Sequence, residues 1–131
     1  MTDHRAVPVE TLREFARDRA ELTSVRQVAA EAGLGRTTLR NFLTRGTTPH
    51  PRVRRILALW YLGEKAKEQT PFLPEDYISA FDILLDGLPD DHRARAAAVL
   101  VERLVAMYAS AGVEIPPALA ELRERDADPA R

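Results

Sequence analysis

The chain has 131 residues, no cysteine and a formal net charge of −1 at pH 7. This length suits one domain, or a small domain with an appended helical module, and the lack of cysteine excludes disulfides and cysteine-based zinc sites. The N-terminal residues do not resemble a signal peptide, and no uncharged run is long enough to span a bilayer. We therefore expect a soluble, cytoplasmic protein without a membrane partner.

The nearly neutral net charge conceals a division of charge along the chain. Up to Lys67 there are 13 basic and 7 acidic residues, a net charge of +6, whereas the remainder has 6 basic and 13 acidic residues, a net charge of −7. A basic end attracts phosphate and an acidic end is repelled by it. The asymmetry favours a DNA-binding end and a separate end turned away from the duplex. The alternative is that each charged run is simply a solvated face.

Two helices are predicted to flank a central stretch of the first half. The first covers residues 9–20, with Leu12, Phe15 and Ala16 on its apolar side, and it packs across the central stretch. The second covers residues 51–67, and its apolar face closes the core of the first half: Val53, Ile56, Leu57 and Trp60. The sequence TRGTTPHPR before this helix is rich in turn residues and predicts a loop.

The central stretch, residues 24–43, predicts two short helices joined by a tight turn. Ser24 can cap the first helix, and Gln27 three residues later completes a capping box. Gly33 lies where the chain turns and is predicted to have a positive φ, which a residue without Cβ adopts easily. Apolar residues at helical spacing face inward in these helices: Val25, Val28, Ala29, Ala32, Leu34, Leu39, Phe42 and Leu43.

The second half predicts a separate helical module. Residues 68–74, EQTPFLP, form a linker between a domain at 1–67 and a module at 75–131. The module contains a helix over 75–88, a long helix over 90–111 and a short last helix that begins at Pro116 and Pro117, with Leu119 and Leu122 as its anchors. The predicted fold is therefore all-α, with an N-terminal helix-turn-helix domain of four to five helices followed by a helical hairpin and a tail helix.

The apolar stripes of this module are wide for a unit of about 55 residues, which buries little surface alone. We expect two copies to pack together through these stripes as a homodimer. The alternative is that the stripes pack on the first half of the same chain. The residues expected at the dimer contact are Phe81, Leu84, Leu85, Leu100, Val101, Leu104, Val105 and Tyr108.

The central stretch resembles the helix-turn-helix of lambda-repressor-like transcription regulators, which include the Cro-like (XRE) and lac-repressor families. The family pattern has a small residue at the position of Ala29, glycine at Gly33 and apolar residues at Val28, Leu34, Leu39 and Phe42. The run V-A-x-x-A-G-L-x-x-x-T-L over residues 28–39 is especially similar to the lac-repressor type. The resemblance covers residues 9–62 and implies a protein of the bacterial cytoplasm or nucleoid.

This sequence departs from the family in two respects. Gly35 stands where serine or threonine is usual, so the second helix loses a side-chain cap that contributes up to about 1 kcal/mol. A large sugar-binding domain is also missing, so we expect no small-molecule effector.

The resemblance implies that the second helix of the motif enters the major groove. Its base-contacting positions fall on Arg36, Thr37, Arg40 and Asn41. Polar and basic neighbours are predicted to contact phosphates: Ser24, Arg26, Thr44, Arg45, Thr48, His50, Arg52, Arg54 and Arg55. For the three arginines at 52, 54 and 55, the alternative is a solvated helical turn.

These observations predict a dimeric, sequence-specific regulator that binds double-stranded DNA, most simply a repressor on an inverted-repeat operator. The alternative is a protein-interaction adaptor that uses the helix-turn-helix fold without binding DNA. An enzyme is not expected, because His4, His50 and His92 lie in separate segments and no phosphate-binding loop or nucleophile motif is present. No catalytic residue, metal or cofactor is predicted.

Overall fold

The structure, a computed structural model, describes residues 6–127. The regular secondary structure of this part of the chain is helical, which confirms the predicted all-α class. Within residues 6–127 the helices are α1 (Val9–Leu22), α2 (Val25–Ala32), α3 (Arg36–Arg45), α4 (Pro51–Lys67), α5 (Pro74–Leu84), α6 (Asp90–Ser110) and α7 (Pro117–Ala127).

The chain divides into two compact units between Pro71 and Phe72. The first unit is Val7–Pro71 and holds α1 to α4, and the second contains residues 72–127 and holds α5 to α7. This division falls inside the segment 68–74 that composition marks as a linker. Each unit has its own buried apolar residues.

The first unit is organised around α1, which contacts α2, α3 and α4. Ala29 of α2 is 3% exposed, and its small side chain permits the close approach of neighbouring helices. The ring of Phe15 meets Trp60 edge-on at 5.3 Å and Tyr61 at 4.9 Å between centroids, geometries that aromatic pairs prefer. The most deeply buried apolar residues of this unit include Val7, Leu12, Ala16, Val28, Leu39 and Leu57.

The cap of α2 forms as predicted, but only half of the capping box does. Ser24 Oγ accepts a hydrogen bond from the backbone N–H of Gln27 at 3.0 Å. The Gln27 side chain does not return to Ser24; its Nε2 donates instead to Glu31 Oε2 at 2.9 Å. Glu31 lies one turn further along the same face, and a bond to a carboxylate is stronger than one to a neutral group. The predicted capping box is therefore wrong in its second half.

The second unit closes a core of its own through α7, which contacts both α5 and α6. Phe81 of α5 and Val101 and Val105 of α6 pack with Leu119 and Leu122 of α7. The two leucines are 0% and 1% exposed, which confirms them as the anchors of the last helix. The buried residues of this core therefore all come from α5, α6 and α7.

This core covers most of the residues that are predicted at a dimer contact. Phe81, Val101 and Val105 are 5%, 2% and 4% exposed, so their side chains are covered by their own chain and are not available to a second copy. Four others pack against the same core and are half-buried: Leu85, Leu100, Leu104 and Tyr108. Leu84 differs from all of these, since 74% of it is exposed.

The predicted end of α5 is also wrong. The helix ends at Leu84 rather than at residue 88, and Leu85 leaves the helical conformation with φ −104° and ψ 16°. Pro89 disfavours a helical conformation at the residue before it, and residues 85–89 are needed to connect α5 to α6. Leu88 consequently lies outside the helix and is 40% exposed.

None of the helices within residues 6–127 combines the length and the apolar character that a membrane crossing demands.

Candidate nucleic-acid interface

The candidate interface is built on α3, whose two faces differ in burial. The inner face consists of Leu39, Phe42 and Leu43, all buried. On the opposite side, four residues follow at helical spacings of three and four: Thr37, Arg40, Asn41 and Thr44. We call these four the α3 stripe. Asn41 is half-buried and the other three are exposed, and Arg36 is exposed in the first turn of the helix.

Two glycines determine where α3 begins. Gly33 has φ 80°, as predicted, and the backbone N–H groups of Gly33 and Leu34 both donate to the carbonyl of Ala29 at 2.9 Å. Gly35 then caps α3 in an extended conformation, with φ −68° and ψ 145°, and supplies no side-chain hydrogen bond. The first turn of α3 therefore keeps N–H groups without a side-chain cap, an arrangement that favours an anion nearby.

Two arginines of α1 hold the other end of α3. Arg13 Nε donates to the Phe42 carbonyl at 2.8 Å, and Arg13 Nη2 donates to the Thr47 carbonyl at 2.7 Å. The guanidinium also lies 4.6 Å from the centroid of the Phe42 ring and pairs with Glu10. Arg17 Nη2 donates to the Leu43 carbonyl at 2.9 Å. The bonds to Phe42 and Leu43 satisfy carbonyls that the last turn of a helix leaves without partners.

Sequence reasoning treats Arg13 only as one of the basic charges and misses this role. Arg13 is 3% exposed, which is rare for an arginine and typical of one that is fully hydrogen-bonded. In the sequence, this role is indicated only by the position of Arg13 three residues before Ala16, on the buried side of α1. Because Arg13 bonds both Phe42 and Thr47, it fixes the end of α3 together with the loop that follows.

Six of the seven arginines predicted to contact DNA fall into two groups. Arg54 is half-buried, and its Nη2 donates to the Val7 carbonyl at 3.0 Å, so this side chain already has a structural role. Five others are exposed and make no side-chain hydrogen bond or ion pair with any residue from 6 to 127: Arg26, Arg36, Arg40, Arg45 and Arg52. No side chain within residues 6–127 therefore competes with a ligand for these five guanidinium groups.

The loop between α3 and α4 brings more polar groups to the surface. Gly46, with φ 62°, ends α3, and Thr48 is exposed in the loop. His50 is the N-cap of α4, and its Nδ1 accepts a hydrogen bond from the Arg52 backbone N–H at 3.1 Å. In the neutral ring the hydrogen is then carried by Nε2, which leaves a donor suited to phosphate. Arg55 is exposed in the same first turn of α4.

Cations in that turn are unfavourably placed relative to the helix dipole. Of the three arginines in this turn, Arg52 is exposed and has no partner among residues 6–127, so an anion near the turn would offset its charge.

Ser24 and Thr44, two residues predicted to contact phosphate, differ in whether the hydrogen of the side-chain hydroxyl is already donated within the chain. Ser24 Oγ accepts its internal hydrogen bond, so its own hydrogen remains free to donate. Thr44 Oγ1 instead donates its hydrogen to the Arg40 carbonyl at 2.8 Å. Phosphate oxygens only accept, so the structure favours Ser24 and disfavours Thr44 as a phosphate ligand.

Comparisons with models of known protein families, with curated proteins and with solved structures found no match for this chain. Among residues 6–127, no group of three or more histidine, aspartate or glutamate side chains is arranged to hold a metal ion. The assignment of a function therefore depends on the geometry of the first unit and on the chemistry of its exposed side chains.

Proposed function

We propose that this protein is a sequence-specific regulator of transcription that binds double-stranded DNA through α3, most simply as a dimeric repressor. The observation that carries the proposal is the α3 stripe, a solvent-facing row of base-compatible side chains on a helix held at both ends. The sequence of α2, α3 and the turn at Gly33 resembles the helix-turn-helix of lambda-repressor-like regulators, and α1 packs against both of these helices and α4 against α2.

The proposed base contacts follow from the hydrogen-bonding groups of the stripe and of Arg36. Arg36 can donate two hydrogen bonds to O6 and N7 of guanine, and Asn41 can both donate to and accept from adenine. Thr37 offers a methyl group for contact with thymine. Arg40 lies on the same face and reaches either a base or the adjacent phosphate. These groups are exposed or half-buried, so a duplex can approach them.

Phosphate contacts on either side of the stripe would set the position of α3 in the groove. Arg26, Arg45 and Arg52 are exposed and have no partner among residues 6–127. Ser24, Thr48 and His50 add neutral donors, and Arg55 adds charge at the start of α4. Such contacts supply affinity without sequence preference.

The proposed dimer would form through the second unit and would place two α3 helices about 34 Å apart, one helical turn of DNA. The operator would then be an inverted repeat, and occupation of a promoter would block polymerase. The exposed Leu84 is the one predicted contact residue that remains largely uncovered in a single chain.

The decisive experiment selects binding sites from random duplex DNA at a fixed, stated salt concentration. Enrichment of an inverted repeat supports both sequence specificity and dimerisation, and sedimentation of the free protein measures the dimer independently. Enrichment of a single half-site supports specificity but contradicts the dimer. If no sequence is enriched and the protein does not bind duplex DNA, the proposal is wrong and an adaptor function gains support.

Arg36 and Arg52 provide a matched pair of variants, because both side chains are exposed and neither has a partner within residues 6–127. We expect R36A to lose preference at one base pair and about 1–3 kcal/mol on the selected site. We expect R52A to weaken binding to all sequences and to reduce the salt slope by about 1. R103A is the control, since Arg103 is exposed on α6 of the acidic second unit.

A further inference from the structure

Thr44 is the last residue of the α3 stripe and shares its outward direction with Thr37, seven residues earlier. At 1.5 Å per residue the two positions are separated by about 10 Å along the helix axis. Base pairs stack about 3.4 Å apart, so this distance corresponds to about three base-pair steps. If the α3 stripe contacts bases along its whole length, Thr44 makes the last of these contacts, beyond Arg40 and Asn41.

The hydroxyl of Thr44 is already engaged within the helix. Its Oγ1 donates to the carbonyl of Arg40 at 2.8 Å, and a threonine hydroxyl has only one hydrogen to donate. A phosphate needs a donor, so a phosphate contact would require this internal bond to break. The γ-methyl group of Thr44, in contrast, can contact a ligand without breaking this hydrogen bond.

We propose that Thr44 is a specificity-determining residue, which contacts the C5-methyl group of a thymine through its own γ-methyl. This inference rests on the proposed function, because it places α3 in the major groove, where thymine exposes that methyl. Thr37 and Thr44 then present methyl groups at the two ends of the stripe, and the polar side chains of Arg40 and Asn41 lie between them.

The test compares wild type with T44V, which keeps a methyl and removes the hydroxyl, and T44S, which keeps the hydroxyl and removes the methyl. Each protein is titrated on the selected operator and on operators in which one thymine at a time is replaced by deoxyuridine, which removes only the C5-methyl. Thermal unfolding of the three proteins checks that the fold is unchanged. Each result is a ratio of dissociation constants on the two DNAs.

We expect the wild type to lose about fourfold in affinity when one particular thymine is replaced, the value of one buried methyl group. T44V should bind as the wild type does and show the same loss at that thymine. T44S should bind the thymine operator about fourfold more weakly and show no further loss with deoxyuridine, because both changes remove the same contact.

Other patterns overturn the inference. If T44V weakens binding to every sequence and flattens the salt dependence whereas T44S does not, the hydroxyl donates to a phosphate. If no deoxyuridine affects the wild type and T44S differently, Thr44 contacts no thymine. Both patterns leave the proposed function intact, because the wild type still selects an operator. A wild type that selects no operator contradicts the proposed function itself, and the assignment of Thr44 with it.

Discussion

Both units of the chain have an apolar core, and the first unit adds arginine side chains that bond from one helix to another. In the first unit, arginine side chains cross from one helix to the backbone or to the carboxylates of another. Arg13 and Arg17 bond carbonyls at the end of α3, and Arg19 of α1 pairs with Glu64 at 2.8 Å and with Glu68 at 2.6 Å. In the second unit, α5, α6 and α7 meet through apolar side chains around Leu119.

This difference has a consequence for what each unit can do. Hydrogen bonds are directional, so they fix the angle and the position of a helix, whereas apolar contacts depend mainly on the area that is buried. The proposed contacts with base edges would tolerate only small displacements, so a rigid guanidinium fork at the end of α3 would favour them. Association of two copies needs apolar area and less angular control.

The largest expected effect tests the apolar core of the second unit. Leu119 is fully buried among Phe81, Val101, Val105 and Leu122, so L119A should lower the free energy of unfolding by about 3 kcal/mol, through lost transfer energy and the cavity left behind. Urea denaturation measures this change. A loss below about 0.5 kcal/mol, the range of ordinary surface substitutions, would mean that α7 is not part of the core.

L84A is the matched control, because the same change is made at a leucine that is 74% exposed. We expect a loss within about 0.5 kcal/mol if this surface stays open in solution. A loss that approaches that of L119A and grows with protein concentration would indicate that a second copy covers Leu84.

A smaller effect tests the directional bonds of the first unit. R13M keeps an unbranched side chain of similar length but leaves the carbonyls of Phe42 and Thr47 without their donor. We expect a loss of about 2 kcal/mol in the free energy of unfolding, since buried polar groups that lose a partner cost about 1–3 kcal/mol each and water can reach part of this site.

R17M is the control for Arg13. Arg17 is an exposed arginine of the same helix with one bond to the carbonyl of Leu43, so its replacement should cost less than about 1 kcal/mol. Equal losses for R13M and R17M would contradict the central role of Arg13. R13K is expected to recover only part of the loss, because one ammonium group does not reproduce a planar fork that bonds two carbonyls.

The local features of the first unit were predictable because they follow from short-range rules. Helix periodicity, the turn at Gly33, the cap at Ser24 and Pro51 at the start of α4 each depend on residues within one or two turns. Arg13 and Arg54 were not predictable in the same way. Their carbonyl partners at Phe42, Thr47 and Val7 lie 29, 34 and 47 residues away in the sequence, and only the packed structure brings them together.

The candidate site was predictable to a similar degree. The α3 stripe and the exposed Arg36 follow from helical spacing alone, since an amphipathic helix with a buried inner face must expose the opposite one. What spacing does not reveal is which polar hydrogens are already used. Thr44 and Ser24 have chemically equivalent hydroxyls, and the difference between them appears only when their hydrogen bonds are known.

The smallest expected effect is a pH dependence of folding stability that arises from Tyr77 in the second unit. Burial raises the pKa of Tyr77 above its ordinary value of 10.0, and the nearby Tyr108 and Asp76 raise it further. The folded state therefore holds this proton more tightly than the unfolded chain does. The resulting stabilisation is complete below pH 10, and it is lost as the pH rises from the unfolded pKa through the folded one.

Y77F isolates this contribution, because phenylalanine keeps the ring that contacts Phe72 and Phe81 and has no proton to lose. Urea denaturation of both proteins from about pH 9 to about pH 11.5 should show the wild type losing stability relative to Y77F above pH 10. Curves that stay parallel over this range would contradict a raised pKa for Tyr77. A difference that appears would show that ionisation of Tyr77 destabilises the folded state, because burial and the neighbouring Tyr108 and Asp76 disfavour a phenolate there.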